Sequence, residues 1–483
     1  MDGGVALSGN TSLHAADSLG LSLDFIATES VSFQTEAIIS NDDDSNGRLL
    51  YPDGAPRFRT IYSNGGRATD HGSSLGEEGR NRFRQFYYNG GSYTGSCAGA
   101  YLACLSWQEN GIIPEYYHIW PGRMEPTSLI DSYTGHFIPQ DSPLLDFFNF
   151  GGDHYIADIY HNGGGFARED IDFPVGTEVL LRFDYPGEHM HQKISCWAYK
   201  VEESTGRIVV VGSHPETEYS SEGLQLMEAI LLYALEGTAP AQLKGELLNS
   251  QTRVMDLATE DSLPAYTKIG DQQYHHFTID IPQGAGNLSL ILDGEDGFDL
   301  NLYLDADTFA FEPNADFSSI QPGADQTITV SSLSSGAWYV GVECATTINT
   351  AGQIYYGDLS VLNGVAYSIT ATWDSTGLKT TTDLAGMPDE FQLHQNYPNP
   401  FNPTTTIQYE LPLRSDVQIT IYDLLGRDVT TLVSETQDAG YKSVHWNATN
   451  VPSGMYFYRI EVHDPDAIGT GGYTQTKRMI LLK

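Results

Sequence analysis

The sequence predicts an α/β domain with a mostly parallel sheet, followed by two all-β sandwich domains. Residues 1–240 alternate short apolar runs with helical stretches, whereas residues 263–375 and 391–483 place apolar residues at every second position between turn-forming residues. Strands that alternate with helices are typical of a parallel sheet. Period-two segments separated by frequent turns are typical of a β-sandwich.

The first domain, residues 1–240, contains strands and helices in alternation. The predicted strands are Leu21–Ile26, Phe58–Tyr62, Ser92–Gly95, Val179–Phe183 and Arg207–Val211. The predicted helices are Leu13–Leu19, Glu77–Tyr88, Ala98–Trp107 and Leu224–Leu235, the last of which ends before Gly237. A strand should precede the first helix, and residues 1–4 have the composition of a strand end. We therefore expect an N-terminal segment to be missing from this chain.

The remaining chain is predicted to consist of a connection at 241–262, a sandwich at 263–375, a linker at 376–390 and a sandwich at 391–483. Strands expected in the first sandwich are Tyr274–Ile281, Leu288–Leu292, Leu300–Leu304, Gln326–Val330, Ala337–Val342 and Ala366–Trp373. Strands expected in the second are Thr405–Glu410, Val417–Tyr422, Gly440–Trp446, Gly454–Val462 and Thr474–Leu482.

The composition excludes several classes of function. The 483 residues include 24 Lys+Arg and 63 Asp+Glu, a formal net charge of −39. The chain therefore lacks the basic surface that binds nucleic acid or anionic membranes. No apolar run reaches the roughly 18 residues of a membrane span. The four cysteines, Cys97, Cys104, Cys196 and Cys344, are too few for a disulfide scaffold. We predict no cofactor and no metal ion.

The strongest candidate for chemistry is the segment Gly95–Gly99, which contains Cys97. It follows a predicted strand and begins a predicted helix, and small residues on either side of a nucleophile permit the tight turn that exposes such a side chain. A helix N-terminus stabilises a thiolate, and the Ala98 N–H would point toward a developing oxyanion. The alternative is that Cys97 is a small buried residue.

Two further segments could complete a catalytic site. His214 and Glu216 directly follow an apolar strand, so His214 could take the proton of Cys97 while Glu216 orients the imidazole. Gly65 and Gly66 follow another predicted strand and could supply a second backbone N–H to the oxyanion. The alternative for His214 and Glu216 is an ordinary loop.

These three segments resemble the hallmarks of the class I glutamine amidotransferase-like superfamily. The strings Gly90–Tyr93, Cys97–Leu102 and Asn162–Gly165 are similar to the biotin-protein ligase N-terminal domain family. The resemblance covers residues 1–240. It implies a flavodoxin-like parallel sheet flanked by helices, with the cysteine, histidine and glutamate named above as the catalytic residues.

Two departures from this superfamily change the expected reaction. No synthetase domain follows to accept ammonia, and the chain is predicted to be exported. We therefore expect an exported cysteine hydrolase that cleaves an amide, peptide or ester bond of an unknown small-molecule or peptide substrate through a thioester. One alternative is a non-catalytic surface protein that binds a ligand in the same pocket. Another is a structural adhesion protein.

Other polar residues are weaker candidates. Asp70 and His71 could line the rim of the pocket or belong to a helix-capping loop. His161 could face the same cleft, although a structural role is favoured. Acidic residues between Asp293 and Asp307 could hold Ca²⁺, but a solvated turn is favoured there.

The two β domains resemble families of exported proteins. Residues 263–375 are similar to the bacterial pre-peptidase C-terminal domain, on the strings Tyr274–Phe277, Phe298–Leu304 and Gly336–Val340. Residues 391–483 resemble the type IX secretion sorting domain of the Bacteroidota, on the strings Asn396–Pro403, Tyr422–Arg427, Ser453–Tyr458 and Lys477–Lys483. The second resemblance implies recognition by the type IX secretion machinery and a secreted or cell-surface location. No signal peptide is visible, so we expect it upstream. A generic adhesion module is the alternative.

Overall fold

The computed structural model forms two compact units, residues 1–376 and 377–483. It describes residues 5–8, 13–21, 23–27, 49–218, 221–258, 263–331, 333–347, 349–351, 354–356, 359–374, 391–394, 396, 399, 401, 403–423, 427–437, 440–449, 451–463 and 472–481. The predicted linker at 376–390 and the proposed strand end at 1–4 lie outside these residues.

One large sheet occupies the first part of the first unit. Its strands are β1 (Val5–Ser8), β2 (Leu23–Ala27), β3 (Thr60–Ser63), β4 (Ser92–Ser96), β5 (Met124–Pro126), β6 (Ser132–Phe137), β7 (Tyr155–His161), β8 (Gly165–Ala167), β9 (Glu178–Asp184), β10 (Ile194–Tyr199) and β11 (Ile208–Val211). The main path across the sheet is β2-β1-β3-β4-β11-β10-β9-β6-β7. Off this path, β8 pairs with both β5 and β10.

The two halves of this sheet differ in strand direction. Strands β2, β1, β3, β4 and β11 pair in parallel, whereas β11, β10, β9, β6 and β7 pair antiparallel. At the junction, Ser96 at the end of β4 is the register partner of Val211 at the end of β11. The residues that follow these two strands therefore emerge side by side at one edge of the sheet.

Helices are fewer than strands. They are α1 (His14–Ser18), α2 (Ala68–Ser74), α3 (Gly76–Tyr88), α4 (Ala98–Ala103) and α5 (Ser221–Glu236). Short 3₁₀ turns lie at Pro143–Asp146, Phe150–Gly152, Pro215–Thr217, Pro264–Tyr266 and Leu359–Asn363. Helix α5 buries Leu226, Ile230 and Leu231 against one face of the sheet, while Phe83 and Trp120 belong to a separate core cluster.

The predicted α/β class is wrong. Of the described residues, 43% lie in strands and 16% in helices, and the large sheet is antiparallel over β10, β9, β6 and β7. The first domain is therefore not a flavodoxin-like parallel sheet flanked by helices. The strand predicted at Val179–Phe183 is present as β9, but the prediction lacked the other strands of residues 104–200, where β7 has no regular alternation of buried and exposed residues and Asp158 has a positive φ of 57°. Pairing of β6 with β7 and with β9 orders this segment, and a local pattern cannot reveal such pairing.

The second part of the first unit contains two stacked sheets. Its strands are β12 (Leu243–Glu246), β13 (Thr252–Met255), β14 (Tyr274–Ile281), β15 (Gly286–Gly294), β16 (Leu300–Asp305), β17 (Phe317–Ser319), β18 (Gln326–Val330), β19 (Gly336–Cys344), β20 (Asn349–Ala351), β21 (Ile354–Tyr356) and β22 (Tyr367–Asp374). One sheet has the order β12-β14-β19-β16-β17, the other β13-β22-β15-β18, and β20 pairs with β21. Alternate side chains of both sheets, including Phe277, Leu290 and Val340, form one apolar core.

This part packs against the segment that precedes β3. Arg57 is buried, donates hydrogen bonds to the carbonyls of Leu50 (3.0 Å) and Leu362 (2.9 Å), and forms an ion pair with Asp271. The Gln273 side chain donates to Asp53 at 2.7 Å. Because Arg57 and Asp271 are both largely buried, removal of either would leave an uncompensated charge.

The second unit is a smaller pair of sheets. Its strands are β23 (Gln392–Leu393), β24 (Thr404–Leu411), β25 (Ser415–Tyr422), β26 (Asp428–Gln437), β27 (Gly440–Asn447), β28 (Gly454–His463) and β29 (Gly472–Leu481). The sheet orders are β23-β24-β27 and β26-β25-β28-β29. Inward-facing residues such as Ile407, Ile419 and Tyr458 form its core.

Candidate functional site

Cys97 lies on a sharp turn between β4 and α4. Its φ and ψ are 46° and −102°, a backbone conformation that non-glycine residues rarely adopt and that clusters at functional sites. A Cβ on Gly95 would lie 2.6 Å from the Gly99 carbonyl carbon, and a Cβ on Gly99 would overlap the Ser63 carbonyl. Both glycines are therefore required for the turn to close, as in nucleophile elbows.

His214 and Glu216 follow β11 at the same edge of the sheet. The His214 Nδ1–H donates to Glu216 Oε1 at 2.8 Å, and both side chains are buried. The His214 backbone N–H donates to the Tyr160 carbonyl at 2.8 Å. Pro215 begins a short 3₁₀ turn, which directs Glu216 back toward the imidazole.

Gly65 brings the cysteine and the histidine together. A Cβ built on Gly65 would overlap His214 Cε1, lie 2.9 Å from His214 Nδ1 and lie 3.5 Å from Cys97 Cβ. Both side chains therefore contact the space next to this glycine. The imidazole also contacts the Tyr160 ring, with centroids 5.7 Å apart.

The electrostatic environment favours a protonated His214. Burial lowers the pKa of His214, but its interactions with the nearby Cys97 and Glu216 outweigh burial and raise the pKa to about 10. His214 Nε2 is buried without a well-aligned hydrogen bond among the described residues. The Cys97 thiol instead faces the Asn162 carbonyl, with Sγ and O 3.6 Å apart. Catalytic hydrogen bonds in unliganded sites are often loose in this way.

Backbone N–H groups border the same space. Ala98 is the first residue of α4, and an N–H at this position has no intrahelical acceptor. Gly66 has a φ of 144°, which requires glycine, and it adjoins Gly65 beside the imidazole. Ala98, Gly65 and Gly66, the predicted oxyanion donors, thus lie around the Cys97 turn.

The predicted rim residues occupy different environments. Asp70, on α2, has a side chain 58% exposed that lies 3.6 Å from Arg67. His71, also on α2, is buried rather than exposed on a rim. His161, at the end of β7, is fully buried, and its ring nitrogens lie next to the hydroxyls of Thr127 and Ser213.

Sequence reasoning missed the side of the site formed by β6 and β7. Tyr160 contacts the imidazole, and Asn162 faces the thiol. The Tyr160 hydroxyl donates to Asp131 Oδ1 at 3.3 Å, and its ring lies 5.7 Å from that of the exposed Tyr133. The string Asn162–Gly165 is distinguished in the sequence only by its similarity to the biotin-protein ligase N-terminal domain family, because no local pattern identifies β7 as a strand.

The other cysteines are unsuited to nucleophilic chemistry. All four cysteines are free and buried. Burial raises the pKa of both Cys104 and Cys344 to about 12 and raises that of Cys196 further. Thiols with such values are uncharged at neutral pH and react slowly.

The acidic residues of the first sandwich act within turns. Asp305 accepts the N–H groups of Asp307 and Thr308, each at 2.9 Å, and Asp299 accepts that of Gly323 at 2.6 Å. In the described part of the chain, no group of three or more His, Cys, Asp or Glu residues could hold a metal ion. None of the described helices is both long and apolar enough to span a membrane.

Comparison with known families identifies the end of the chain. Residues 395–469 match the model of the secretion system C-terminal sorting domain. This domain indicates secretion or surface display by the type IX system and interaction with its machinery. The chain is an exported protein. No curated protein matches it significantly.

Several solved structures are similar to parts of the chain. The pre-peptidase C-terminal domain of collagenase from Bacillus anthracis is 12% identical with a TM-score of 0.18, covering 28% of this chain and 99% of that one. A β-glucuronidase from Parabacteroides merdae is 14% identical with a TM-score of 0.15, covering 43% of this chain. This chain spans only 27% of that enzyme. These matches provide no evidence for the predicted amidotransferase-like domain.

Proposed function

We propose that the exported protein is a cysteine-dependent hydrolase of an amide, peptide or ester bond. The observation that carries the proposal is the arrangement of three buried side chains. Cys97 lies on a turn with positive φ, and the His214 imidazole beside it is held by Glu216 at 2.8 Å. A nucleophile, a base and an orienting carboxylate in this order are the components of a catalytic triad.

The proposed reaction begins with a thiolate–imidazolium pair of Cys97 and His214. The sulfur attacks the substrate carbonyl carbon and forms a C–S bond, while the carbonyl π electrons move to oxygen. The N–H groups of Ala98 and Gly66 stabilise that oxyanion. As the tetrahedral intermediate collapses, the C–N or C–O bond breaks and His214 gives its Nε2 proton to the leaving group.

The second half of the reaction releases the acyl group. Neutral His214 takes a proton from water, and the resulting hydroxide attacks the thioester carbonyl. The C–S bond then breaks, a carboxylic acid leaves, and the thiolate–imidazolium pair is restored. One water molecule is consumed for each bond cleaved, and Glu216 keeps the imidazole in the orientation that both proton transfers require.

Sequence motifs support the proposal independently of the fold class. The segments around Cys97, His214 and Gly65 resemble those of class I glutamine amidotransferase-like proteins of the biotin-protein ligase N-terminal domain type, which implies amide chemistry. The sorting domain at 391–483 would contact the secretion machinery, and the substrate would be a small molecule or peptide met outside the cell.

A second candidate is a non-catalytic protein that binds a ligand in the same pocket. The Cys97 thiol faces Asn162, and His214 Nε2 has no well-aligned partner among the described residues. Both features would suit a pocket that binds without turnover.

Cysteine labelling as a function of pH distinguishes the two candidates. Iodoacetamide should modify Cys97 faster at pH 6 than it modifies an ordinary thiol, because the adjacent imidazolium favours the thiolate, and His214→Ala should abolish this advantage. Peptide mass spectrometry would quantify each cysteine, with buried Cys104 as the internal control. If Cys97 reacts only at alkaline pH, like an ordinary thiol, the hydrolase proposal is wrong, and ligand binding by Cys97→Ala becomes the next test.

A further inference from the structure

A chain of buried polar side chains lies directly behind the proposed triad. His161 Nε2 lies 2.7 Å from Thr127 Oγ1, and His161 Nδ1 lies 3.0 Å from Ser213 Oγ. His136 extends the chain, with Nε2 at 3.4 Å from Ser213 Oγ and Nδ1 at 2.9 Å from Ser195 Oγ. All five residues are at most 4% exposed, so water cannot replace a lost partner.

The hydrogen bonds on the two ring nitrogens of His161 can run in only one direction. The Thr127 hydroxyl donates to the Gly164 carbonyl at 2.9 Å, so Thr127 Oγ1 must accept the proton on His161 Nε2. The unprotonated Nδ1 then accepts the hydroxyl proton of Ser213. His161 is therefore neutral and held in a single tautomer by two hydroxyl groups.

The electrostatics agree with a neutral histidine pair. Burial, followed by the nearby charge of His214, lowers the pKa of His161 to about 4. Burial and the charge of His161 lower the pKa of His136 to about 3. Neither imidazole can then serve as a second cation beside His214 at neutral pH.

His161 is connected to both ends of the proposed triad. Its neighbour Tyr160 accepts the His214 backbone N–H at 2.8 Å, and its other neighbour Asn162 faces the Cys97 thiol. Its side chain binds Ser213, the residue before His214. Residues 160–162, at and just after the end of β7, thus contact the segments that carry Cys97 and His214.

We propose that Thr127, His161 and Ser213 are positioning residues that hold the His214 segment in register with β7, and so set the distance between His214 and Cys97. This inference rests on the proposed hydrolase function. The three residues contact neither the thiol nor a substrate and act only through the placement of His214 and Asn162.

The test removes single hydroxyl groups without changing side-chain volume greatly. Thr127→Val takes away the acceptor of the His161 Nε2 proton, Thr127→Ser retains it, and Ser213→Ala takes away the donor to Nδ1. Matched controls are Thr205→Val and Ser142→Ala, which remove buried hydroxyls of the same domain that bond to other carbonyls. The readout is the pH profile of iodoacetamide labelling at Cys97 in the full chain.

Thr127→Val and Ser213→Ala should each slow labelling at pH 6 by about tenfold and move the profile toward that of a free thiol. Thr127→Ser, Thr205→Val and Ser142→Ala should label like the wild type. Urea unfolding of every variant checks that Thr127→Val and Thr205→Val are folded to the same extent. If one hydroxyl variant fails to fold, the other still decides the matter.

Two results separate this inference from the proposed function. If the wild-type Cys97 is activated and both hydroxyl variants keep its profile, the positioning role is refuted while the hydrolase proposal stands. If the wild-type thiol reacts only at alkaline pH, the hydrolase proposal fails first. A profile shifted equally by Thr205→Val would also refute the inference, because a general loss of stability would then explain the effect.

Discussion

At the scale of single residues, the site depends on how closely His214 is confined. Glu216 accepts a hydrogen bond from Nδ1, the Tyr160 ring contacts the imidazole, and Gly65 lies close to Cε1 and Nδ1. Because the imidazole is mostly buried, its charge depends on Glu216 and Cys97 rather than on solvent. Substitutions at these contacts should therefore change the protonation of His214 while leaving the fold intact.

Glu216→Gln should lower the pKa of His214 from about 10. The carboxylate favours the imidazolium by hydrogen bonding and by charge, and an amide supplies only a neutral acceptor. In the wild type the charged state contributes stability that is complete below about pH 6.5 and is lost as the pH rises toward the folded-state value. NMR titration of the His214 ring protons would measure the change. An unchanged titration would show that Glu216 does not control the protonation of His214.

Gly65→Ala should disable the site while leaving the domain folded. The new methyl group would overlap His214 Cε1, so the imidazole must move away from Cys97. We expect labelling of Cys97 at pH 6 to slow about 10- to 100-fold. Gly286→Ala is the control, because its nearest atom would lie at 3.8 Å. Wild-type labelling in Gly65→Ala would mean that the histidine does not occupy this position in solution.

At the scale of elements, the junction of parallel and antiparallel strands creates the site. Strands β4 and β11 are parallel and in register, so the Cys97 turn and the His214 segment begin at the same level of the sheet. Strand β7 is not adjacent to β11 in the sheet. Nevertheless, Tyr160 and His161 at its end contact the His214 segment, and Asn162 after it faces the Cys97 thiol. The local sequence predicted β4 and β11 but not β7.

Helix α5 supports this junction from one face. Ile230 is fully buried in the core cluster beneath β11, so Ile230→Ala should cost about 2–5 kcal/mol of unfolding free energy through lost burial and a residual cavity. Glu236→Ala, at the exposed end of the same helix, should change it by less than about 0.5 kcal/mol. Proteolysis in urea, with peptides of β4 and β11 quantified, would compare them. Equal stability of the two variants would indicate that α5 does not pack as described.

At the scale of the whole molecule, the net charge and the buried histidines both determine how the protein responds to acid. The net charge of −39 favours solubility at neutral pH. As the pH falls, carboxylates lose their charge, while the buried histidines resist protonation. We therefore expect the first unit to determine the lowest pH at which the protein stays folded.

Acid should weaken the first unit through His136. Its folded-state pKa of about 3 lies below the ordinary value of about 6.5, so between these values only the unfolded chain binds the proton. Stability is complete above about pH 6.5 and falls as the pH falls, by about 2–3 kcal/mol at pH 4.5. His136→Gln should lack this part of the pH dependence. Urea titrations at pH 7 and 4.5 would measure the difference, and parallel curves for wild type and variant would contradict it.

The candidate residues and the fold differed in how far the sequence could predict them. Cys97, His214 and Glu216 were proposed from local strings, because a tight elbow needs glycines at fixed spacing and a triad needs few residue types. The strand at Val179–Phe183 was predicted and is present as β9, but β7 could not be predicted, because it has no period-two pattern. The His161 chain could not be predicted either, because Thr127, His161 and Ser213 are far apart in the sequence.

The sequence by itself determined export, through a terminal domain whose turn residues and aromatic strands form a continuous pattern. It also determined where the glycines, Cys97 and His214 lie relative to the strand ends. Only the tertiary structure decided that the large sheet changes from parallel to antiparallel at β11 and that the end of β7 contacts the His214 segment. The physical reason is that turns and caps depend on neighbouring residues, whereas strand pairing and buried hydrogen bonds depend on residues that folding brings together.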